Sequence, residues 1–211
     1  MPKNMKKLKF LDIDATEFAR QLTIIESKLY GKIKPTECLN KTWQKKLVPG
    51  EPDPAANVKA LILHSNQLTN WVAQMILAQA DVKRRVIVIK HFVSVADVSK
   101  PRNRFDMEIL IAEQKCRVLN NFSTLTSIIS ALGTAPIHRL GRTWHQVNAR
   151  TMATLESMRK LMNSPKNFAE YRETLHKANP PCIPFFGMYE SFSYWKYRCS
   201  PFNASIYDGV S

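Results

Sequence analysis

Apolar residues recur at helical spacing through most of this chain, and almost nowhere at the two-residue alternation of a half-buried strand. The first such stretch opens with Asp14-Ala15-Thr16-Glu17, the pattern of a capping box, in which an acidic N-cap accepts free backbone N–H groups and Glu17 reaches back. Phe18, Leu22, Ile25 and Leu29 follow as one apolar stripe, and Gly31 is placed to end the helix. A shorter segment after Pro35 carries Leu39 and Trp43. Pro49, Pro52 and Pro54 then force a loop, because proline lacks the N–H that a helix interior needs. From Asn57 the period resumes through Val58, Leu61, Ile62, Leu68, Val72, Met75 and Ile76. Asp81 is expected to cap a helix with Val82, Val86, Ile89 and Val93 inside, and Ser123 one with Leu125, Ile128, Ile129 and Leu132 that stops at Gly133. Asn148 opens a helix bearing Leu155, Met158 and Leu161, and Ser164-Pro165 one lined by Phe168, Tyr171 and Leu175. The sum is an all-α domain of about seven helices with short connections.

A chain of 211 residues with 45% apolar composition suffices for one domain with a sizeable core. No apolar run approaches the roughly 20 residues that span a bilayer. The opening MPKNMKKLKFLDID is basic but has no apolar stretch of signal-peptide type, so a cytoplasmic location is expected. Cys38, Cys116, Cys182 and Cys199 are far apart, without zinc-ligand spacing, and read as free thiols in a reducing compartment. The six glycines fall into no phosphate-cradling pattern, so direct nucleotide binding is not expected. The five histidines stand singly, and no metal, cofactor or covalent chemistry is implied. A net charge of +14, with Lys3, Lys6, Lys7 and Lys9 at the start, favours an acidic partner: an acidic protein surface, an anionic membrane face or nucleic acid. No recognition motif supports nucleic acid, so a basic helical nucleic-acid binder is a minor alternative.

Four stretches, in order, resemble the catalytic domain of Ras-type guanine-nucleotide exchange factors. They are FLDIDATEFARQLTIIESKLYGKIKPTECLNKTW, HSNQLTNWVAQMIL, LNNFSTLTSIISALGTAPIHRLGRTW and PKNFAEYRETLHKANPPCIPFFGMY, which together cover most of residues 10–189. The resemblance implies a multi-helix orthogonal bundle and an exchange factor that binds a Ras-family GTPase and releases its GDP without covalent chemistry, in the cytoplasm or at the inner face of the plasma membrane. It places the groove for the GTPase's second switch at Ile62 and Asn66, with the Asn121 amide nearby, Phe168 and Phe185 as walls and Met188 at the edge. No catalytic, cofactor or metal residue is implied.

Departures from the family pattern are equally specific. The match stops at Tyr189, so residues 190–211 read as a non-family tail and residues 1–9 as a basic leader. The helical hairpin that pries open the first switch is expected to be missing, which makes the domain incomplete and its exchange activity doubtful; a non-exchanging GTPase-binding fragment is the alternative. Removing Val98–Gln114 joins VAD to KCRVLNNF and restores the family spacing, so this stretch reads as an insertion. Val98-Ser99 can be encoded as GTAAGT and Gln114 as CAG, the letters of intron ends, which makes intron read-through the expected origin.

Overall fold

The computed structural model describes residues 9–46, 49–99, 119–162, 167–178 and 182–188, with the backbone alone at Met188. Among these residues the architecture is all-α: α1 (Ala15–Tyr30), α2 (Pro35–Cys38), α3 (Ala56–Leu77), α4 (Val82–Ser99), α5 (Phe122–Gly133), α6 (Ala135–His138), α7 (Gly141–Trp144), α8 (Ala149–Leu161) and α9 (Ala169–Lys177). The one extended pairing is an isolated parallel bridge between Asn121 and Ile183. None of these helices is long and apolar enough to cross a membrane.

Helix α1 starts as expected, with Asp14 Oδ1 accepting the N–H groups of Thr16 and Glu17 at 2.9 and 3.2 Å. The Glu17 carboxylate does not reach back; it accepts from Arg20 and Gln21 instead. The expected inner stripe is also rotated. Ile25 is 46% exposed, whereas Ala19, Leu22, Thr23, Glu26, Ser27 and Tyr30 are buried. Half of that face is polar, so an apolar count misplaces it.

Helix α3 has no side-chain acceptor at its own N-cap, Ala55. Glu37 of α2 supplies it: Oε2 accepts from Asn57 N and Val58 N at 2.9 and 3.1 Å, and Oε1 from Asn57 Nδ2 at 2.7 Å. A carboxylate here also faces the positive end of the helix dipole. Helix α4 begins under Asp81, whose carboxylate accepts Arg84 N–H at 3.0 Å. It buries Val86, Val88, Ile89, Phe92, Val93, Val95 and Ala96, more than one face, because α1, α3, α5, α7 and α8 all pack on it. Phe10, just before α1, stacks on Phe92 at 4.7 Å and meets Phe18 and Trp71 edge-on, both at 5.3 Å.

The cap of α5 is Asn121, whose Oδ1 accepts Thr124 N–H at 3.0 Å, and not Ser123. Asn121 N–H reaches the Ser99 carbonyl at 3.0 Å, so the chain on either side of residues 100–118 meets directly. Of the expected insertion, Val98 and Ser99 belong to α4 and residues 100–114 lie outside the described residues, as do the leader through Lys7 and Leu8, the tail 190–211, Cys116 and Cys199. Asn148 caps α8 through Thr151 N–H at 2.8 Å. The expected start at Ser164-Pro165 is also outside the described residues; α9 is described from Ala169, preceded by Asn167 and Phe168 in the left-handed region at φ 49° and 51°.

Candidate functional site

Five parts of the chain converge on one cleft of about 540 Å³. Helix α3 contributes Leu61, Ile62, Ser65 and Asn66, neighbours along one helical face. The first turn of α5 contributes Ser123, and the entry to α9 contributes Asn167, Phe168 and, one turn on, Arg172. Lys41, Trp43 and Gln44 come from the 3-10 turn after α2, and Phe185, Phe186 and Gly187 close the wall.

The Phe185 wall is pinned by hydrogen bonds. The segment carrying Phe185 is tied to α5, with Ile183 N–H on the Asn120 carbonyl at 3.0 Å and Phe122 N–H on the Ile183 carbonyl at 2.9 Å. One step further, Phe185 N–H donates to Tyr171 Oη at 2.9 Å. The rings of Phe168 and Phe185 lie 6.0 Å apart, and Trp43 meets Phe186 edge-on at 5.5 Å. Asn40 and Lys41 both hold positive φ, 51° and 50°, which non-glycine residues adopt rarely.

A polar cluster lies behind the floor. Glu26 is fully buried; Thr124 Oγ1 donates to its Oε2 at 2.7 Å and Ser123 Oγ to its Oε1 at 3.1 Å. Burial pushes the Glu26 carboxyl above its usual range, against the hydrogen bonds that favour its charge. His64 Nε2 stands 3.6 Å from Oε1, and burial lowers the pKa of this imidazole. Burial also raises Cys38, a free thiol, to about 11, with Glu37 adding to the shift. Among the described residues no group of His, Cys, Asp or Glu is arranged to hold a metal ion.

Of the residues expected from sequence, Ile62, Asn66, Phe168 and Phe185 come together in the cleft. Asn121 does not line it. Its side chain is 0% exposed and is occupied by Thr124 N–H, Thr23 Oγ1 and Thr124 Oγ1, so it builds the floor from below. Met188 follows directly in the 3-10 turn Phe186–Met188, where only its backbone is described. Sequence reasoning missed Lys41, Ser65, Arg172 and Phe186. Nothing in helical spacing signals Lys41, whose position depends on a backbone turn.

The stretch of sequence that builds the cleft, residues 41–187, lies within a match to a known family. The chain matches the RasGEF domain over residues 17–194. It belongs to that family. Among its relatives, it is 46% identical over 197 residues to Cell division control protein 25 of Candida albicans, covering 93% of this chain and 13% of that protein. The protein of the same name from Saccharomyces cerevisiae is 40% identical over 188 residues, 89% of this chain and 11% of that one. Ras guanine nucleotide exchange factor E of Dictyostelium discoideum is 38% identical over 191 residues, 90% of this chain and 16% of that one. The chain thus spans only 11% to 16% of the length of these relatives.

Proposed function

We infer that this RasGEF chain serves guanine-nucleotide exchange on a Ras-family GTPase, and that the cleft is where the GTPase docks. One observation carries the reading. Ile62, Asn66, Phe168 and Phe185, drawn from three separate stretches of sequence, line a single cleft of mixed polar and apolar surface, and among the described residues its lining includes Lys41 and Arg172 but no carboxylate. Aromatic and aliphatic walls beside basic residues suit an apolar side chain on a segment that carries acidic residues.

Exchange of this kind needs no bond chemistry. Nucleotide and exchanger compete for the GTPase, and linkage makes the penalty mutual: whatever factor the exchanger loses when nucleotide binds, nucleotide loses when the exchanger binds. The exchanger must therefore bind the emptied GTPase much more tightly than the loaded one. A rigid cleft serves this, because its fixed walls reward the partner conformation that fits them. The Asn121 to Ser99 contact favours reading the following stretch, to Gln114, as an insertion that the cleft does not require.

The test is capture of Saccharomyces cerevisiae Ras by the 211-residue chain, with release of fluorescent GDP followed in parallel. Selective capture of the nucleotide-free form, weakened by Phe168→Ala, is the expected result. Equal capture of the GDP-bound and empty forms sinks the reading. Capture without accelerated release assigns the chain to docking alone.

A further inference from the structure

One buried carboxylate dictates which way a hydroxyl in the cleft must point. An ionised carboxylate only accepts hydrogen bonds, so the hydroxyl hydrogens of Ser123 and Thr124 turn inward to Glu26. Asn121 Nδ2 donates to Thr124 Oγ1 at 3.1 Å in the same sense, so the donors converge on Glu26. The sense holds with Glu26 ionised, and with Glu26 protonated only where that proton turns away from Ser123. The buried His64 Nε2, with no hydrogen-bond partner among the described residues, stands 3.6 Å away to face it.

Ser123 carries that polarity into the cleft. Ser123 is a lining residue of the cleft, and with its hydrogen held by Glu26 the lone pairs of its oxygen are what it has left to offer. Ser65, the other hydroxyl of the lining, is paired with Ser127 at 2.8 Å. Neither Lys41 nor Arg172 has a carboxylate partner among the described residues, and both oppose a cationic donor.

We propose that Ser123 is a specificity-determining residue of the cleft: its hydroxyl oxygen accepts from a neutral O–H or N–H donor on the side chain that enters beside Ile62, Phe168 and Phe185, and Glu26 is the positioning residue that holds the hydroxyl in that sense. The identity of the partner rests on the docking reading above; the chemistry of the subsite does not.

Phenol and anisole separate the two. They share a ring and an oxygen, but only phenol can donate. Titrated into the full 211-residue chain and followed by NMR, phenol binds the cleft about three- to tenfold more tightly than anisole. Ser123→Ala abolishes the preference and Ser123→Thr, which keeps the hydroxyl, retains it. Glu26→Gln has an amide that can donate to Ser123 and free its hydrogen, so the preference shrinks or reverses, an effect that loss of packing alone does not produce. Equal affinities in the wild type, no binding of either probe at the cleft, or a preference that survives Ser123→Ala overturns the proposal. If Ser123→Ala does not fold, the wild-type ratio and the Glu26→Gln change decide it. A second arm measures capture of nucleotide-free Saccharomyces cerevisiae Ras, expected to fall about three- to tenfold in Ser123→Ala. A chain that prefers phenol but captures no Ras defeats the docking reading and leaves the subsite standing; the converse result defeats the subsite alone.

Discussion

The Cα of Gly187 sits against the ring of Phe185 so closely that a methyl group there would lie 2.3 Å from Cζ and 2.6 Å from Cε1. The backbone beneath the ring cannot easily yield, since Ile183 is bridged to α5 and Phe185 N–H is held by Tyr171. The ring itself can swing, and it forms part of the cleft wall. Gly187→Ala is therefore expected to cost little stability, about 1 kcal/mol, while changing the shape of the cleft. Affinity for the nucleotide-free GTPase should fall by about tenfold, measured by calorimetric titration beside a thermal melt. Unchanged affinity would show that the Phe185 ring plays no part in docking.

Glu37 joins the turn that carries Lys41 and Trp43 to the start of α3, which carries Ile62 and Asn66. Burial pushes its carboxyl up, but hydrogen bonds from the Asn57 side chain and from the backbone of Lys34, Val58 and Asn57 outweigh that and hold it below the usual range. The folded state thus holds the Glu37 proton less tightly than the unfolded chain does. Its contribution is complete above about pH 4.3 and is lost as pH falls through the folded value. At neutral pH, Glu37→Ala should destabilise by about 2–3 kcal/mol, because several donors lose their acceptor at once, and Glu37→Gln by less. Urea unfolding at pH 7 and pH 3.5 checks this, with the variants expected to approach wild type at the lower pH.

How much of this could be read from the sequence depended on what each residue contributes. Val58, Leu61, Leu68, Val72 and Ile76 announce α3 because burial of one face is a local, periodic signal. Asp14, Asp81 and Asn148 were legible as caps because their acceptors act within three residues. Glu37 capping α3 was not legible, since its acceptor comes from 20 residues away. The buried face of α1 was misread for a related reason: Thr23 and Glu26 go inside only because Asn121 and Thr124 meet them there. In the cleft, Ile62, Asn66, Phe168 and Phe185 followed from the family resemblance, whereas Lys41, Ser123 and Arg172 needed the tertiary structure.

Asn121 distinguishes contact from support. Its amide satisfies Thr124 N–H and donates to Thr23 and Thr124, all at full burial. Asn121→Ala should cost about 2–4 kcal/mol, since the cap is lost and buried groups are left without partners. The loss should appear in the melting midpoint. The GTPase affinity of the folded fraction, measured well below that midpoint, should change less than twofold, because the side chain has no surface in the cleft. A tenfold loss of affinity with an unchanged melt would instead make Asn121 a contact residue.

Glu26 predicts a pH dependence of the opposite sign to Glu37. Burial raises its pKa, so the folded protein holds this proton more tightly than the unfolded chain. Folding takes up a proton between about pH 4.3 and the folded value, and stability falls as pH rises through that window. His64 is the titratable group that faces it from α3, and it works the other way: burial lowers its pKa, so stability is lost as pH falls below about 6.5. Glu26→Gln removes the first effect. Its stability relative to wild type should improve steadily as pH rises from about 4, whatever the fixed cost of the lost acceptor. Urea midpoints of wild type, Glu26→Gln, His64→Gln and the double variant from pH 4 to 8 separate the two titrations, which belong to the pair if the groups are coupled. Parallel curves for wild type and Glu26→Gln would mean that Glu26 stays ionised throughout, held by Ser123 and Thr124 against the cost of burial.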